Sequence, residues 1–474
     1  MSRAPYLVAV LALVLLANVA LYAYLAHLAA KNPEAPAYPF VAGDSVTYAA
    51  LADSLIEHGG FTGSGFEQER HWPPAYPVFL AVTKWLGGGF YLAIVLQVLA
   101  SLGAVALVYK MALKFVSPGW ASIPALLFGL DPSVVLANTT VLSDGLFASL
   151  IVSGVYLAFF ARMPSETAKW AIIALVISVA ALMRPIGQFL ILLVPLALAS
   201  ILYFRSRNAR KLMVPLAAYV VVSVLMLAPW LSFVHSRFGV YEISHVAASN
   251  LLYYNARDFL AWKEMNKRHY VPIYLASRYR DDPAYKTVDE EIARSLSALT
   301  PPGKDTANYE GKLAARLILQ DPIGYAYYHI VNTAPFFIGS SIGAYHQVVQ
   351  ELTTGEGYSP TSLVLVQSAR AALAARAPSE FLSALAPVAP ILLETLAWAL
   401  AAFFAVVEFF LKRREPLIWL FALLILYFAA LTGPVSIPRY RIPAEPFILI
   451  LATIGASAIV ESYKRVIWNR KSTS

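Results

Sequence analysis

Read for its apolar and polar positions, the chain alternates long apolar runs with short polar breaks. About 20 apolar residues cross the hydrocarbon core of a bilayer. Runs of that kind fall near 5–29, 89–111, 119–138, 142–161, 168–183, 186–204, 212–234, 384–411, 416–433 and 445–463. The first, unbroken from Ala4 to Ala30, outlasts the 7–15-residue apolar core of a secretory signal and reads as an uncleaved span. The pattern therefore predicts an all-α polytopic membrane protein with about ten or more transmembrane helices.

Between these runs lie two long stretches of different character. In 31–88, Tyr48, Leu51, Leu55 and Ile56 fall near helical spacing, which predicts an interfacial helix over 45–58. Trp72-Pro73-Pro74-Ala75-Tyr76-Pro77 then makes a rigid corner, because proline ends helices and extends the residue before it. The second stretch, 235–383, mixes acids and bases and reads as a helical extramembrane layer. Within it, 312–343 is expected to be one amphipathic helix on the membrane surface, presenting Tyr325, Tyr327, Tyr328 and Phe336 to the interface. Thr353-Thr354-Gly355-Glu356-Gly357-Tyr358-Ser359-Pro360 reads as a mobile loop. The chain thus divides into an N-terminal membrane module (1–234), the layer (235–383), and C-terminal membrane helices with a basic tail (384–474).

Composition agrees: 59% of the 474 residues are hydrophobic, only 14% are charged, and mean hydropathy is +0.62. The net charge of +8 does not point to nucleic acid, because the bases cluster at the ends of apolar runs. Lys110 and Lys114, Arg162 and Lys169, Arg205 to Lys211, Lys412-Arg413-Arg414 and Lys464 to Lys471 all fall on the cytoplasmic side if the N-terminus is inside and 235–383 stays outside. The expected location is the plasma (inner) membrane, with the polar loops facing the periplasm or cell exterior. The absence of cysteine excludes disulfides and thiolate chemistry.

That topology gathers polar groups on the outer face. Asp44 follows the first span, in Gly43-Asp44-Ser45-Val46-Thr47-Tyr48, and Asp144 lies between the third and fourth, in Leu142-Ser143-Asp144. Arg184 occupies the next outer hairpin, and Arg439-Tyr440-Arg441 precedes the last span. Charge at a membrane boundary is costly to desolvate without a partner or ligand. Either aspartate could instead be a helix N-cap, and Arg184 could simply snorkel to the interface. As a set, two carboxylates and three guanidinium groups suit a reaction in which a sugar leaves a lipid phosphate. Arginine forks match phosphate oxygens, and a positioned carboxylate can take a proton from an attacking hydroxyl. Asp44 is the candidate base, and Arg184, Arg439 and Arg441 are the candidate phosphate ligands. Glu67, Glu69, Arg70 and His71 could touch substrate, but they lack the spacing of a metal site.

At these residues the chain resembles the GT-C membrane glycosyltransferases that use polyprenyl-phosphate sugars, in particular the protein mannosyltransferase and aminoarabinose lipid A transferase group. The matching pieces are Gly43 to Tyr48, Pro73-Pro74-Ala75-Tyr76-Pro77, Leu142-Ser143-Asp144, Arg184-Pro185-Ile186-Gly187 and Arg439-Tyr440-Arg441-Ile442-Pro443. They follow the family's order over most of 1–210 and again over 384–463. The resemblance implies that Asp44 is the catalytic base or coordinates the acceptor, with Asp144 a supporting acid. Tyr48, Arg70, His71, Tyr76 and Tyr440 are possible substrate contacts. It also implies a polyprenyl-phosphate sugar donor, a lipid, glycan or protein acceptor, and a divalent metal in some relatives. Gly43 stands where the family often has a second acid, which weakens the metal expectation here. A flippase or secondary transporter of lipid-linked sugars, or a polysaccharide polymerase or ligase, is the alternative. The first expects ionisable or broken helices near mid-membrane, and Glu394 and Glu408 lie inside an apolar run.

Overall fold

The computed structural model describes all residues except 1–3, 33–37, 41–42, 62–69, 209, 269, 272, 274–280, 355–377, 387 and 473–474. Glu67 and Glu69, and residues 355–360 of the expected loop, lie outside the described part. Among the described residues every regular element is helical. The chain is an all-α polytopic membrane protein.

Among the described residues, eight helices are long and apolar enough to cross a membrane: Ala4–Lys31, Gly89–Ala112, Glu166–Met183, Pro185–Tyr203, Arg210–Phe238, Ala389–Leu411, Pro416–Val435 and Glu445–Tyr463. The other two expected spans take different forms. The run 119–138 is split into Pro118–Leu130 and Pro132–Thr139, bent by 53°. The cause is local. Asp131 precedes Pro132 and is driven out of the helical region (φ −56°, ψ 129°), and its carboxylate then caps the next helix by accepting from Ser133 N at 2.8 Å. The run 142–161 is a 16-residue helix, Asp144–Phe159.

The spans pack on apolar faces. Trp170, Ile173 and Ile177 of Glu166–Met183 are buried, and Arg210–Phe238 packs along that helix. Ala389–Leu411 runs against the last helix, where a side chain on Gly455 would press on the Phe404 carbonyl at 2.6 Å.

The described helices from Val246–Asn250 to Pro322–Asn332 share a core apart from that of the spans. Helix Pro283–Leu299 buries Val288, Ile292 and Leu296 at a four-residue spacing, against Phe259, Leu313 and Tyr328. The expected single helix over 312–343 is not formed. Three helices, Glu310–Ile318, Pro322–Asn332 and Ala334–Ile338, replace it. Pro322 and Pro335 each stand at the start of a helix, and Asp321 caps Pro322–Asn332 by accepting from Gly324 N at 3.0 Å. The expected interfacial aromatics divide: Tyr328 and Phe336 are buried, Tyr325 is half-buried on Asn255, and Tyr327 is exposed.

Candidate functional site

The first loop is stitched to the loop before Asp144. The Tyr38 hydroxyl donates to the Thr139 carbonyl at 2.6 Å, Val141 N donates to the Pro39 carbonyl at 3.1 Å, and Ser45 Oγ donates to the Val141 carbonyl at 2.9 Å. Beneath them Gln97, buried in an apolar span, donates to the carbonyls of Asn138 (3.1 Å) and Thr140 (3.0 Å). A buried amide in a span is costly unless bonded, and here it satisfies carbonyls that the helix end leaves free. The polar position inside the 89–111 run was the signal for Gln97, and the loop pairing of Ser45 left none.

These contacts bring Asp44 and Asp144 to one guanidinium. Arg439 donates through Nη2 to Asp44 Oδ2 at 2.7 Å and through Nε to Asp144 Oδ2 at 2.9 Å. Arg184 pairs with the other oxygen of Asp144. Arg184 is aimed by its place before Pro185: it is extended (φ −143°, ψ 134°) and ends the span Glu166–Met183. Neither aspartate is a helix cap. The cap positions are Gly43 and Ser143, and the carboxylates are spent on arginine. Gly43 has φ +81° and ψ −112°, a conformation open to glycine and costly for an acid. That is a backbone reason for the missing second carboxylate.

The cluster holds two negative and two positive groups. Asp144 is 4% exposed at its base, whereas Asp44 (29%), Arg439 (24%) and Arg184 (17%) stay partly open. Burial opposes the charge on Arg439, but Asp144 and Asp44 outweigh it and keep the guanidinium protonated. Around it, the Tyr440 ring lies 5.7 Å from the Arg184 guanidinium carbon, and the buried Tyr48 hydroxyl meets Ser143 Oγ at 3.2 Å. Tyr76 is buried with its hydroxyl on Gln97 Oε1 at 2.7 Å, so it packs rather than facing a ligand.

Arg441, two residues from Arg439, is not brought to this cluster. It is fully buried, donates to Glu445 Oε1 at 3.1 Å and to the Gly339 carbonyl at 2.9 Å, and lies 3.9 Å from Asp131 Oδ2. Its guanidinium carbon sits 3.6 Å over the Trp398 ring. Glu394 completes the knot by accepting from Ser341 N (2.8 Å) and Ile342 N (3.0 Å), at the start of helix Ile342–Thr354. Asp131 and Glu445 carried no expectation, although an acid inside an apolar run was the available signal.

Arg70 is likewise enclosed. It is 2% exposed and pairs with Asp305 Oδ2 (2.9 Å) and Glu242 Oε1 (3.3 Å), which joins the first loop to the layer. His245 N donates to the Arg70 carbonyl at 2.9 Å, and His245 Nε2 lies 2.9 Å from Glu310 Oε2. Burial pushes the His245 imidazolium down, but Glu242 and Glu310 outweigh this and raise its pKa to about 9. His71 is half-buried, edge-on to Trp72 with ring centres 5.1 Å apart. Burial and the His245 charge hold its pKa below the usual histidine range, against the pull of Asp44 and Glu310.

Among the described residues no group of three or more His, Cys, Asp or Glu side chains is arranged to hold a metal ion. The two carboxylates that approach each other do so through Arg439. With both carboxylates neutralised by arginine, the donor set does not fit a divalent cation.

No family model and no curated protein matches the chain. It is similar to two crystal structures of ArnT from Cupriavidus metallidurans, one in the apo state and one bound to undecaprenyl phosphate. Each shares 14% identity, with TM-scores of 0.35 and 0.34, covering 92% and 94% of this chain and 76% and 77% of the other. Similarity at that level assigns no activity here, so the chemistry is read from the chain's own residues.

Proposed function

We propose that this protein is an integral-membrane, inverting glycosyltransferase of the GT-C kind. It moves a sugar from a polyprenyl-phosphate donor to a hydroxyl of a lipid, glycan or protein acceptor on the extracytoplasmic side. The observation that carries this reading is the meeting of Asp44, Asp144, Arg184 and Arg439, from four separate segments, in one partly open cluster.

The donor phosphate approaches from the open side and takes Arg439 and Arg184 as ligands, since guanidinium forks pair with phosphate oxygens at least as well as with carboxylates. Arrival of that phosphate competes for Arg439 Nη2, which the two aspartates share, and frees the Asp44 carboxylate while Asp144 keeps Nε. Asp44 then accepts the proton of the acceptor hydroxyl as its oxygen attacks the anomeric carbon. The bond from that carbon to the phosphate oxygen breaks, and its electron pair leaves on the polyprenyl phosphate, where Arg439 and Arg184 offset the charge. Asp144, buried and bonded to both arginines, keeps them aimed. A positioned base of this kind contributes roughly 10²–10⁴-fold.

The test uses the full-length protein in nanodiscs with undecaprenyl-phosphate-linked mannose, glucose and arabinose as probes, water standing in for the acceptor. Asp44→Asn is expected to stop sugar release while undecaprenyl phosphate still binds; a variant as active as the wild type removes Asp44 as base. A flippase reading draws on one observation, the broken span at the buried Asp131. It predicts donor movement across proteoliposomes without sugar release.

A further inference from the structure

The helices Glu310–Ile318 and Pro322–Asn332 carry an outward stripe that no described element covers. Lys312 and Arg316 are exposed at its start, followed by Leu319 (71% exposed), Ile323 (83%), Tyr327 (58%) and Ile330 (71%). Within each helix the steps of four and three residues keep its members on one side, Lys312 and Arg316 on the first and Ile323, Tyr327 and Ile330 on the second, with Leu319 at the turn between them. The opposite side is the layer's own core: Leu313, Ala314, Leu317 and Tyr328 are buried. Large side chains this exposed, in sequence and on one face, are far from the scattered apolar positions of an ordinary water-facing surface.

The depth of the stripe is set by its far end. His329 Nε2 lies 3.0 Å from the carbonyl of Ala430, in the last turn of the span Pro416–Thr432. The same ring fills the space beside Gly433, where a side-chain carbon would stand 2.2 Å from it. Pro322–Asn332 is therefore seated on the end of a membrane-crossing helix, at the level where hydrocarbon gives way to headgroups. Its apolar residues lie at that end, and the two bases lie at the end farther along the chain from it. Neither Lys312 nor Arg316 has an acidic partner among the described residues.

We propose that this stripe is a membrane-docking surface. Ile323, Tyr327 and Ile330 enter the acyl boundary of the adjoining leaflet, and Lys312 and Arg316 reach its phosphate groups. Order along the stripe supports a bilayer over a protein partner: bases first, then an aromatic between aliphatics, matches the passage from headgroup to hydrocarbon. The consequence is that the layer is held to the lipid on this flank as well as to the spans. This inference does not depend on the proposed reaction.

The chain has no cysteine, so single labelling sites can be introduced against a silent background. Full-length Arg316→Cys, Ile323→Cys and Ile330→Cys, with Glu290→Cys on an exposed part of the layer as reference, would carry a nitroxide. The host membrane is a liposome of three parts phosphatidylcholine to one part phosphatidylglycerol. Relaxation by oxygen is compared with relaxation by a water-soluble nickel chelate. The expected result is an oxygen-to-nickel ratio several-fold above the Glu290 site at Ile323 and Ile330, with Arg316 in between. Ratios at Ile323 and Ile330 equal to that at Glu290 would place the stripe in water and overturn the proposal. So would shielding from both reagents with spin–spin broadening, which would show a second copy of the chain on this face.

Discussion

Arg439 and Arg441 leave the same short turn, Pro438–Arg441, and meet opposite surroundings. Arg439 bonds two carboxylates from loops that the sequence holds far apart, and a quarter of its side chain remains open. Arg441 is sealed among Glu445, Asp131, the Gly339 carbonyl and the Trp398 ring. One arrangement balances charge at an accessible place, where an incoming anion can exchange with a carboxylate. The other buries Arg441 with Asp131 and Glu445 beside the half-buried Glu394, and joins the broken span, the last helix and the start of Ile342–Thr354. Residue type and loop position were the same for both; accessibility separates the proposed ligand-binding group from a fastening.

The sharpest way to break this contrast is Arg441→Ala. Removing one partner of a buried ion pair costs about 3–5 kcal/mol, so the variant should be recovered poorly and unfold at a markedly lower temperature. A stability equal to that of the wild type would mean that the knot carries no load. Asp144→Asn should act in the other region. Arg184 loses the carboxylate it pairs with, at about 1.5–3 kcal/mol for a charged hydrogen bond, and sugar release should fall at least tenfold. Glu445→Gln should change little, within about 1 kcal/mol, because the amide oxygen can still accept from Arg441 Nε. A loss as large as that of Arg441→Ala would show that the charge itself is required.

The smallest effect concerns the joint between the first loop and the layer. His245 has its pKa raised to about 9 from an ordinary 6.5 by Glu242 and Glu310, in spite of burial. A raised pKa stabilises the folded form fully below the ordinary value, and that contribution is lost as pH rises through about 9. The melting-temperature difference between wild type and His245→Gln should therefore shrink from pH 6 to pH 10. A difference that is constant over that range would detach His245 from Glu242 and Glu310.

Much of the fold was legible in the apolar periodicity, since the eight long spans need only length and composition. Two failures have a common cause in proline. The steps at Asp131-Pro132 and Asp321-Pro322 combine a capping acid with a residue that forces its predecessor out of the helix, and both outweighed the apolar pattern. The grouping of Asp44, Asp144, Arg184 and Arg439 could be anticipated from loop parity. What parity could not separate was Arg441 from Arg439, because a two-residue offset in a single helical turn directs side chains to different neighbours. Arg70 was obscured in the same way, since Asp305 and Glu242 lie more than 150 residues away in the chain.

The most direct measurement is undecaprenyl phosphate binding to the full-length protein in nanodiscs, taken with the melting temperature, for Arg439→Gln and Arg441→Lys. Loss of a charged contact worth about 1.5–3 kcal/mol corresponds to roughly a 10- to 100-fold weaker Kd. The expectation is that loss for Arg439→Gln, with a smaller fall in melting temperature than for Arg441→Lys, which melts lower but binds normally once folded. Unchanged affinity in Arg439→Gln, or lost affinity in a well-folded Arg441→Lys, would contradict it.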